Sequence, residues 1–176
     1  DDLTTRKSPL TFFLLVYGLS IPLWVIEIFI DAEGPLGFPV TDVLAAFTPL
    51  VAASILVHKE HGRAGVKKLF GRIFDVGKIR KKEWILVVIS LPVLLYSLIY
   101  LAIDLAKLPL PGGWVIPFGS VPMLFALFFL GAVIEETGYM GYAIDPMQAR
   151  FGALSASILI GLLWAIWHYP SIIHQG

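Results

Sequence analysis

Three residues that can hold or transfer protons lie within strongly apolar stretches of this chain. Glu135 and Glu136 follow the apolar run Met123–Ile134, and His168 follows the run Ile158–Trp167. A charged side chain at membrane depth costs at least about 2.5–3.5 kcal/mol, so such residues are usually functional. Two acids and a titratable base together predict proton or water chemistry inside a bilayer.

A glutamate and a histidine at one depth could hold a water molecule between them. Burial favours the neutral form of each group, and a carboxylate shifted toward neutrality is suited to general acid–base catalysis. Glu135 could take a proton from the water, and the resulting nucleophile could attack an amide. Glu135, Glu136 and His168 could instead bind a metal such as zinc, although zinc sites usually have more His or Cys ligands. In a purely structural interpretation, one acid hydrogen-bonds to a neighbouring span and His168 is a satisfied core histidine.

The spacing of these residues predicts that they meet. The midpoint between Glu135 and His168 is position 151.5, which falls on the helix break predicted at Arg150-Phe151-Gly152. Two antiparallel helices that rise about 1.5 Å per residue from this break carry both side chains to the same level. Glu135 then lies roughly 15 Å deep, near the middle of a hydrocarbon core about 30 Å thick.

The composition predicts an integral membrane protein. Of the 176 residues 57% are hydrophobic, with a mean hydropathy of +0.82, above the roughly 45–50% apolar content of soluble domains. The chain has no cysteine, which excludes thiolate metal sites. Its net charge is zero, and it has no basic face that would indicate a nucleic-acid partner. The first apolar stretch is interpreted as a retained span, since it lacks a signal-peptide cleavage site.

The apolar runs predict an all-α, polytopic membrane bundle, because helices satisfy their own backbone hydrogen bonds in lipid. About five spans of sufficient length are expected. They are Leu10–Ile30, about Val40–Val57, Trp84–Ile103, a span from near Ile116 to about Ile144, and about Ala153–Ile173. We expect residues 1–176 to form a single integral-membrane domain.

The basic residues predict the orientation. Nine of the thirteen Lys and Arg residues lie in the predicted loop 58–83: Lys59, Arg63, Lys67, Lys68, Arg72, Lys78, Arg80, Lys81 and Lys82. Basic loops remain cytoplasmic, so this loop and the N-terminus should be cytoplasmic, and a bacterial inner membrane suits the chain. The loop could simply set topology. Alternatively, apolar residues at helical spacing within it (Val66, Leu69, Phe70, Ile73 and Phe74) indicate a surface helix that touches anionic lipid.

Two motifs carry a family resemblance. Residues 135–142 read EETGYMGY, and residues 161–170 read GLLWAIWHYP. Together they resemble the CPBP family of intramembrane proteases, which includes the type II CAAX prenyl endopeptidases and bacteriocin-immunity relatives. The family motifs are E-E-x-x-x-R and F/W-x-x-x-H, and the segments Ser8–Phe13 and Phe47–Leu50 also look similar. The resemblance covers nearly the whole chain.

The resemblance implies a role for each site residue. Glu135 would activate water, His168 would help to hold it, and Glu136 would support the site by pairing with the motif arginine. The substrate would be a peptide or a prenylated protein. The family has been called metalloprotease, with Glu135 and His168 as the ligands here, but a metal-free water activated by glutamate is favoured, with no cofactor.

Two departures from the family pattern bear on activity. Met140 stands where the motif has arginine, so Glu136 lacks its i, i+4 partner. The family has further spans with another histidine and an Asn or Asp, and we expect that this chain is the N-terminal part of such a domain and inactive by itself. A non-catalytic binding or immunity protein on the same scaffold is therefore the main alternative. A proton-coupled transporter is a third, although no inverted repeat supports it.

Overall fold

A computed structural model describes residues 8–30, 32–34, 39–75, 81, 83–107 and 121–175. The expected cytoplasmic N-terminus, the start of the fourth span near Ile116 and the loop residues Lys78, Arg80 and Lys82 lie outside these ranges. Seven α-helices account for most of the described residues: α1 Pro9–Phe29, α2 Val40–Ala45, α3 Thr48–Gly71, α4 Glu83–Leu105, α5 Val121–Gly138, α6 Ile144–Phe151 and α7 Ala153–Gln175. A 3₁₀ turn, Arg72–Phe74, follows α3, and a π-helical turn, Tyr139–Ala143, joins α5 to α6.

Four of the predicted spans are confirmed as helices long and apolar enough to cross a membrane. These candidate spans are Pro9–Phe29, Val40–Phe74, Pro122–Phe151 and Ala153–His174. No β-strand occurs in the described residues, so the fold is an all-α polytopic membrane bundle. The third predicted span coincides with α4, a helix of 23 residues. Several α4 side chains lie outside the described part, so its membrane crossing stays a prediction.

The chain divides into two compact units. Asp1–Phe74 and Leu127–Gly176 form the first, and Asp75–Ala126 the second. All the predicted site residues belong to the first unit. Its core contains an aromatic cluster of Phe12 and Phe13 from α1 with Tyr139 and Tyr142 from the π turn, whose ring centroids lie 5.3–6.0 Å apart.

Local sequence determines where these helices start and stop. The Ser8 side chain accepts a hydrogen bond from the Thr11 backbone N–H, and Pro9 follows it at the first position of α1, where its missing N–H costs nothing. Gly152 ends α6 with a φ of 78°, in the left-handed region that glycine tolerates best. The helix break predicted at Arg150-Phe151-Gly152 is therefore confirmed.

The predicted loop 58–83 differs from the structure in its first part. Helix α3 continues to Gly71 across a kink at Gly62, whose φ of 63° and ψ of −159° are not helical. The apolar residues at helical spacing explain the difference, because Leu69 is buried in the core of the first unit. The packing of Leu69 therefore stabilises a helical conformation in a segment whose charged residues alone predict a loop.

Candidate functional site

Glu135 and His168 meet as their spacing predicts. His168 Nε2 lies 3.8 Å from Glu135 Oε2, with Glu135 on α5 and His168 on α7. The two side chains are 16% and 31% exposed, respectively. The helix break at Gly152 produces this meeting, because it turns α7 back along the preceding helices.

The second ring nitrogen of His168 is engaged by its own helix. Nδ1 lies 3.0 Å from the backbone carbonyl oxygen of Trp164, one turn earlier. A carbonyl oxygen can only accept, so a hydrogen bond here requires the proton on Nδ1. In the neutral ring, Nε2 then carries a lone pair, and it is Nε2 that faces Glu135.

Trp164 binds both members of the pair. Its indole Nε1–H donates to Glu135 Oε2 at 3.1 Å, and its ring lies 4.2 Å from the His168 ring, centroid to centroid. The spacing of Trp164 and His168 along one helix predicts only packing on the same helix face; the hydrogen bond to Glu135 is not predictable from it. The position of Trp164 four residues before His168, in the aromatic place of the second motif, was the signal available.

A buried hydroxyl pair anchors the next tryptophan. Trp167 is 4% exposed, and its indole N–H donates to Ser20 Oγ on α1 at 2.8 Å. Ser20 Oγ lies 2.7 Å from Thr48 Oγ1 at the start of α3. The Trp167 ring meets the His168 ring edge-on, with centroids 4.6 Å apart. Helices α1 and α3 thus fix the α7 turn that carries His168, and each buried polar atom in this chain of bonds has a partner.

Two glycines bring α5 and the π turn close to α3. A Cβ at Gly138 would lie 2.4 Å from the backbone carbon of Pro49, and one at Gly141 would lie 2.6 Å from Leu69 Cδ1. At Gly138 the close atoms include backbone, so only glycine fits there, whereas at Gly141 the close atom is the movable end of the Leu69 side chain. Gly138 is one turn beyond Glu135, so this contact sets the position of the helix that carries the acid.

Arg72 caps the π turn from the end of α3. Its guanidinium donates to the Gly141 carbonyl oxygen at 2.7 Å and to Asp145 Oδ2 at 2.8 Å. A π turn spaces its hydrogen bonds five residues apart and is frequent at functional sites. Arg72 supplies hydrogen-bond donors to this irregular turn, so these hydrogen bonds stabilise the turn in addition to its packing.

Glu136 and Met140 lie apart from the Glu135–His168 contact. Both residues are exposed, with Met140 40% accessible. Within the described ranges no ion pair involves Glu136. Of the three predicted site residues, the structure therefore brings Glu135 and His168 together and leaves Glu136 on an exposed side of α5.

A similar acid–histidine pair lies elsewhere in the first unit. Glu27 lies near the outer end of the first predicted span, where the sequence alone predicts that it reaches the membrane interface, but it is buried, with 4% exposure. His174 Nε2 lies 3.7 Å from its Oε1. The difference arises because α2 and the end of α7 cover the end of α1, which an isolated span would leave open. Ser171 also donates to Asp42 there.

The described residues do not form a zinc site. Glu135 and His168 would supply two ligands, whereas catalytic zinc sites use three protein ligands and an open position. No group of three or more His, Cys, Asp or Glu residues in the described part of the chain could hold a metal ion.

Comparisons with known proteins agree with the two motifs. The family model of type II CAAX prenyl endopeptidase Rce1-like proteins matches residues 117–175, which include both motifs. CAAX prenyl protease 2 of Methanococcus maripaludis is 28% identical over 173 residues, which cover 95% of this chain and 64% of the relative. No solved structure matches. These findings confirm that the chain resembles the CPBP family of CAAX proteases, as its two motifs indicate.

Proposed function

We propose that the protein is an intramembrane endopeptidase in which Glu135 activates a water molecule held jointly with His168. The observation that carries this proposal is the 3.8 Å separation of Glu135 Oε2 from His168 Nε2 within two membrane-spanning helices. This distance is too long for a direct hydrogen bond. It suits a pair of polar groups bridged by one water.

The hydrogen bonds around the pair support a proposed role for each residue. With its proton on Nδ1, His168 accepts one water O–H at Nε2. Glu135 Oε2, which accepts from Trp164 and lies nearest His168 Nε2, has a second lone pair that can take the other water proton. The water oxygen then bonds to the carbonyl carbon of the peptide. The C–N bond breaks, the proton on Glu135 passes to the leaving nitrogen, and the products are a carboxylic acid and an amine, which ionise to a carboxylate and an ammonium group by transfer of the remaining water proton.

The substrate class is proposed from the relative. Because that relative is named a CAAX prenyl protease, we propose a peptide bond near a prenylated cysteine as the one that is cut. The chain spans 64% of the length of this relative. By the positive-inside rule, the basic residues at the end of α3 favour a cytoplasmic N-terminus, and a bacterial inner membrane is the proposed location.

Cleavage of a prenylated reporter peptide by the full-length native protein tests the proposal. Glu135→Ala and His168→Ala should each abolish cleavage. Glu27→Gln is the matched control, because it alters an acid of the same kind, paired with a histidine at 3.7 Å, away from the proposed site. Full cleavage by a folded Glu135→Ala variant would refute the mechanism. Equal losses in Glu135→Ala and Glu27→Gln would indicate a structural role instead.

Met140 favours a second candidate, a non-catalytic protein that binds a membrane partner or a lipidated peptide. In this case the native protein binds the reporter peptide without cutting it, and Glu135→Ala leaves binding unchanged. Cleavage gained with Met140→Arg would identify a degenerate enzyme on an intact scaffold. Cleavage by the native protein would exclude this second candidate.

A further inference from the structure

The segment of α3 beyond the Gly62 kink has two different faces. Gly65 and Leu69, four residues apart, are buried. A Cβ at Gly65 would lie 2.9 Å from Val57 Cγ1, so this face packs back on the membrane-spanning part of the same helix. Leu69 packs against Gly141. The inner face therefore fixes the segment on the first unit.

The outer face is basic and aromatic. Arg63, Lys67 and Phe70 recur at spacings of four and three residues, which places them in one stripe along α3, and Phe74 follows four residues later at the end of the 3₁₀ turn. The two basic residues are exposed, and the phenylalanines are 41% and 80% exposed. We call these four residues the basic–aromatic stripe.

We propose that the basic–aromatic stripe docks on anionic phospholipid headgroups of the bilayer that the protein spans. Two observations select this partner. The stripe follows the apolar part of α3, which ends at Val57, so it lies within a few helical turns of the membrane surface. Its charge is complementary to anionic lipid, and phenylalanine is a side chain that enters the boundary between headgroups and acyl chains.

The charges next to the stripe leave it basic. Glu60 accepts a hydrogen bond from Tyr142 on the bundle side, and the charge of Arg72 is paired with Asp145. Lys59, one turn before the kink, is exposed as well. Each Lys or Arg near an anionic surface favours contact by about fivefold, so Arg63 and Lys67 together should shift the docking equilibrium by roughly 25-fold.

A single-cysteine experiment tests the docking, because the chain has no native cysteine. Phe74→Cys carries a nitroxide label in the full chain, reconstituted in nanodiscs of phosphatidylcholine with or without phosphatidylglycerol. Collision rates with molecular oxygen and with a water-soluble nickel chelate report whether the label contacts lipid or water. Ala64→Cys is the matched control, since it lies on the same segment about a quarter turn from the stripe and is exposed.

Anionic lipid should reduce nickel collisions and increase oxygen collisions at position 74, with a much smaller change at position 64. The combined Arg63→Gln and Lys67→Gln substitutions should remove most of this lipid dependence. In the labelled protein that keeps both basic residues, added salt should weaken the lipid dependence. A label at position 74 that stays equally accessible to nickel in both lipids would overturn the proposal. The proposal would also be overturned if an acidic peptide in solution changed the accessibility of the label and anionic lipid did not. The inference does not depend on the proposed peptidase activity.

Discussion

Gly138→Ala should disturb both stability and the proposed site through one contact. The added Cβ would meet three atoms of Pro49: the backbone carbon at 2.4 Å, the oxygen at 2.5 Å and Cβ at 2.7 Å. Two of these atoms are backbone, so they cannot rotate away. Ordinary van der Waals contact begins at 3.4 Å, and the helices must therefore separate by about 1 Å.

The expected magnitude follows from this shift. Overpacking of this kind costs typically about 1–3 kcal/mol, and the better helix propensity of alanine returns up to about 1 kcal/mol. A net loss of about 1–2 kcal/mol corresponds to a melting temperature roughly 2–8 °C lower for a chain of this size. Glu135 lies one turn before Gly138, and a displacement of 1 Å at a reacting group can cost about 10²-fold in rate.

Thermal unfolding and reporter-peptide cleavage of the full-length protein measure the two effects. Gly131→Ala on the same helix is the control, because its Cβ would have nothing within 4 Å, and it should melt at or slightly above the native temperature. A Gly138→Ala protein that melts and cleaves like the native form would refute the reasoning. A similar loss in Gly131→Ala would show that α5 tolerates no alanine, whatever the contact with Pro49.

Three further substitutions test the hydrogen bonds around the site. Trp164→Phe keeps an aromatic ring and removes the N–H that binds Glu135; a hydrogen bond to a charged group contributes about 1.5–3 kcal/mol, so cleavage should fall roughly 10- to 100-fold with little change in melting temperature. Ser20→Ala leaves the buried Trp167 N–H without an acceptor, which should cost about 1–3 kcal/mol of unfolding free energy, measured by thermal unfolding. Arg72→Gln removes the guanidinium from the π turn, whose partly exposed ion pair contributes at most about 1 kcal/mol. The decrease in melting temperature should be smaller in high salt. A decrease that does not depend on salt would assign the effect to the backbone hydrogen bond.

The level at which Glu135 and His168 meet was predictable because it depends on only two quantities. These are the rise per residue of a helix and the location of the break, and Gly152 marks the break in the sequence. The helical runs were predictable for a similar reason, since apolar length alone selects them in a membrane. Neither inference requires knowledge of which helix faces which.

Contacts that depend on helix rotation could not be read from the sequence. The hydrogen bond from Trp164 to Glu135 requires a particular rotation of α7 against α5, which the packing of Trp167 on Ser20 helps to fix. Burial of Glu27 depends on short α2, whose six residues are too few to produce a clear pattern. For the segment beyond Val57 the sequence left a loop and a surface helix open, because its charges favour a loop and the spacing of Val66 and Leu69 favours a helix. The burial of Gly65 and Leu69 decides for the helix.

The exposed position of Met140 shows that the packing of the first motif does not require an arginine there. Tyr139, Tyr142, Gly138 and Gly141 are all buried and hold the π turn against α1 and α3, whereas Met140 between them is exposed. An arginine at this position would extend on the exposed side, where Glu136 also lies, and would add a charge without entering the packed core. Its replacement by methionine therefore preserves every close contact that positions Glu135. The packing that positions Glu135 is thus independent of the side chain at position 140.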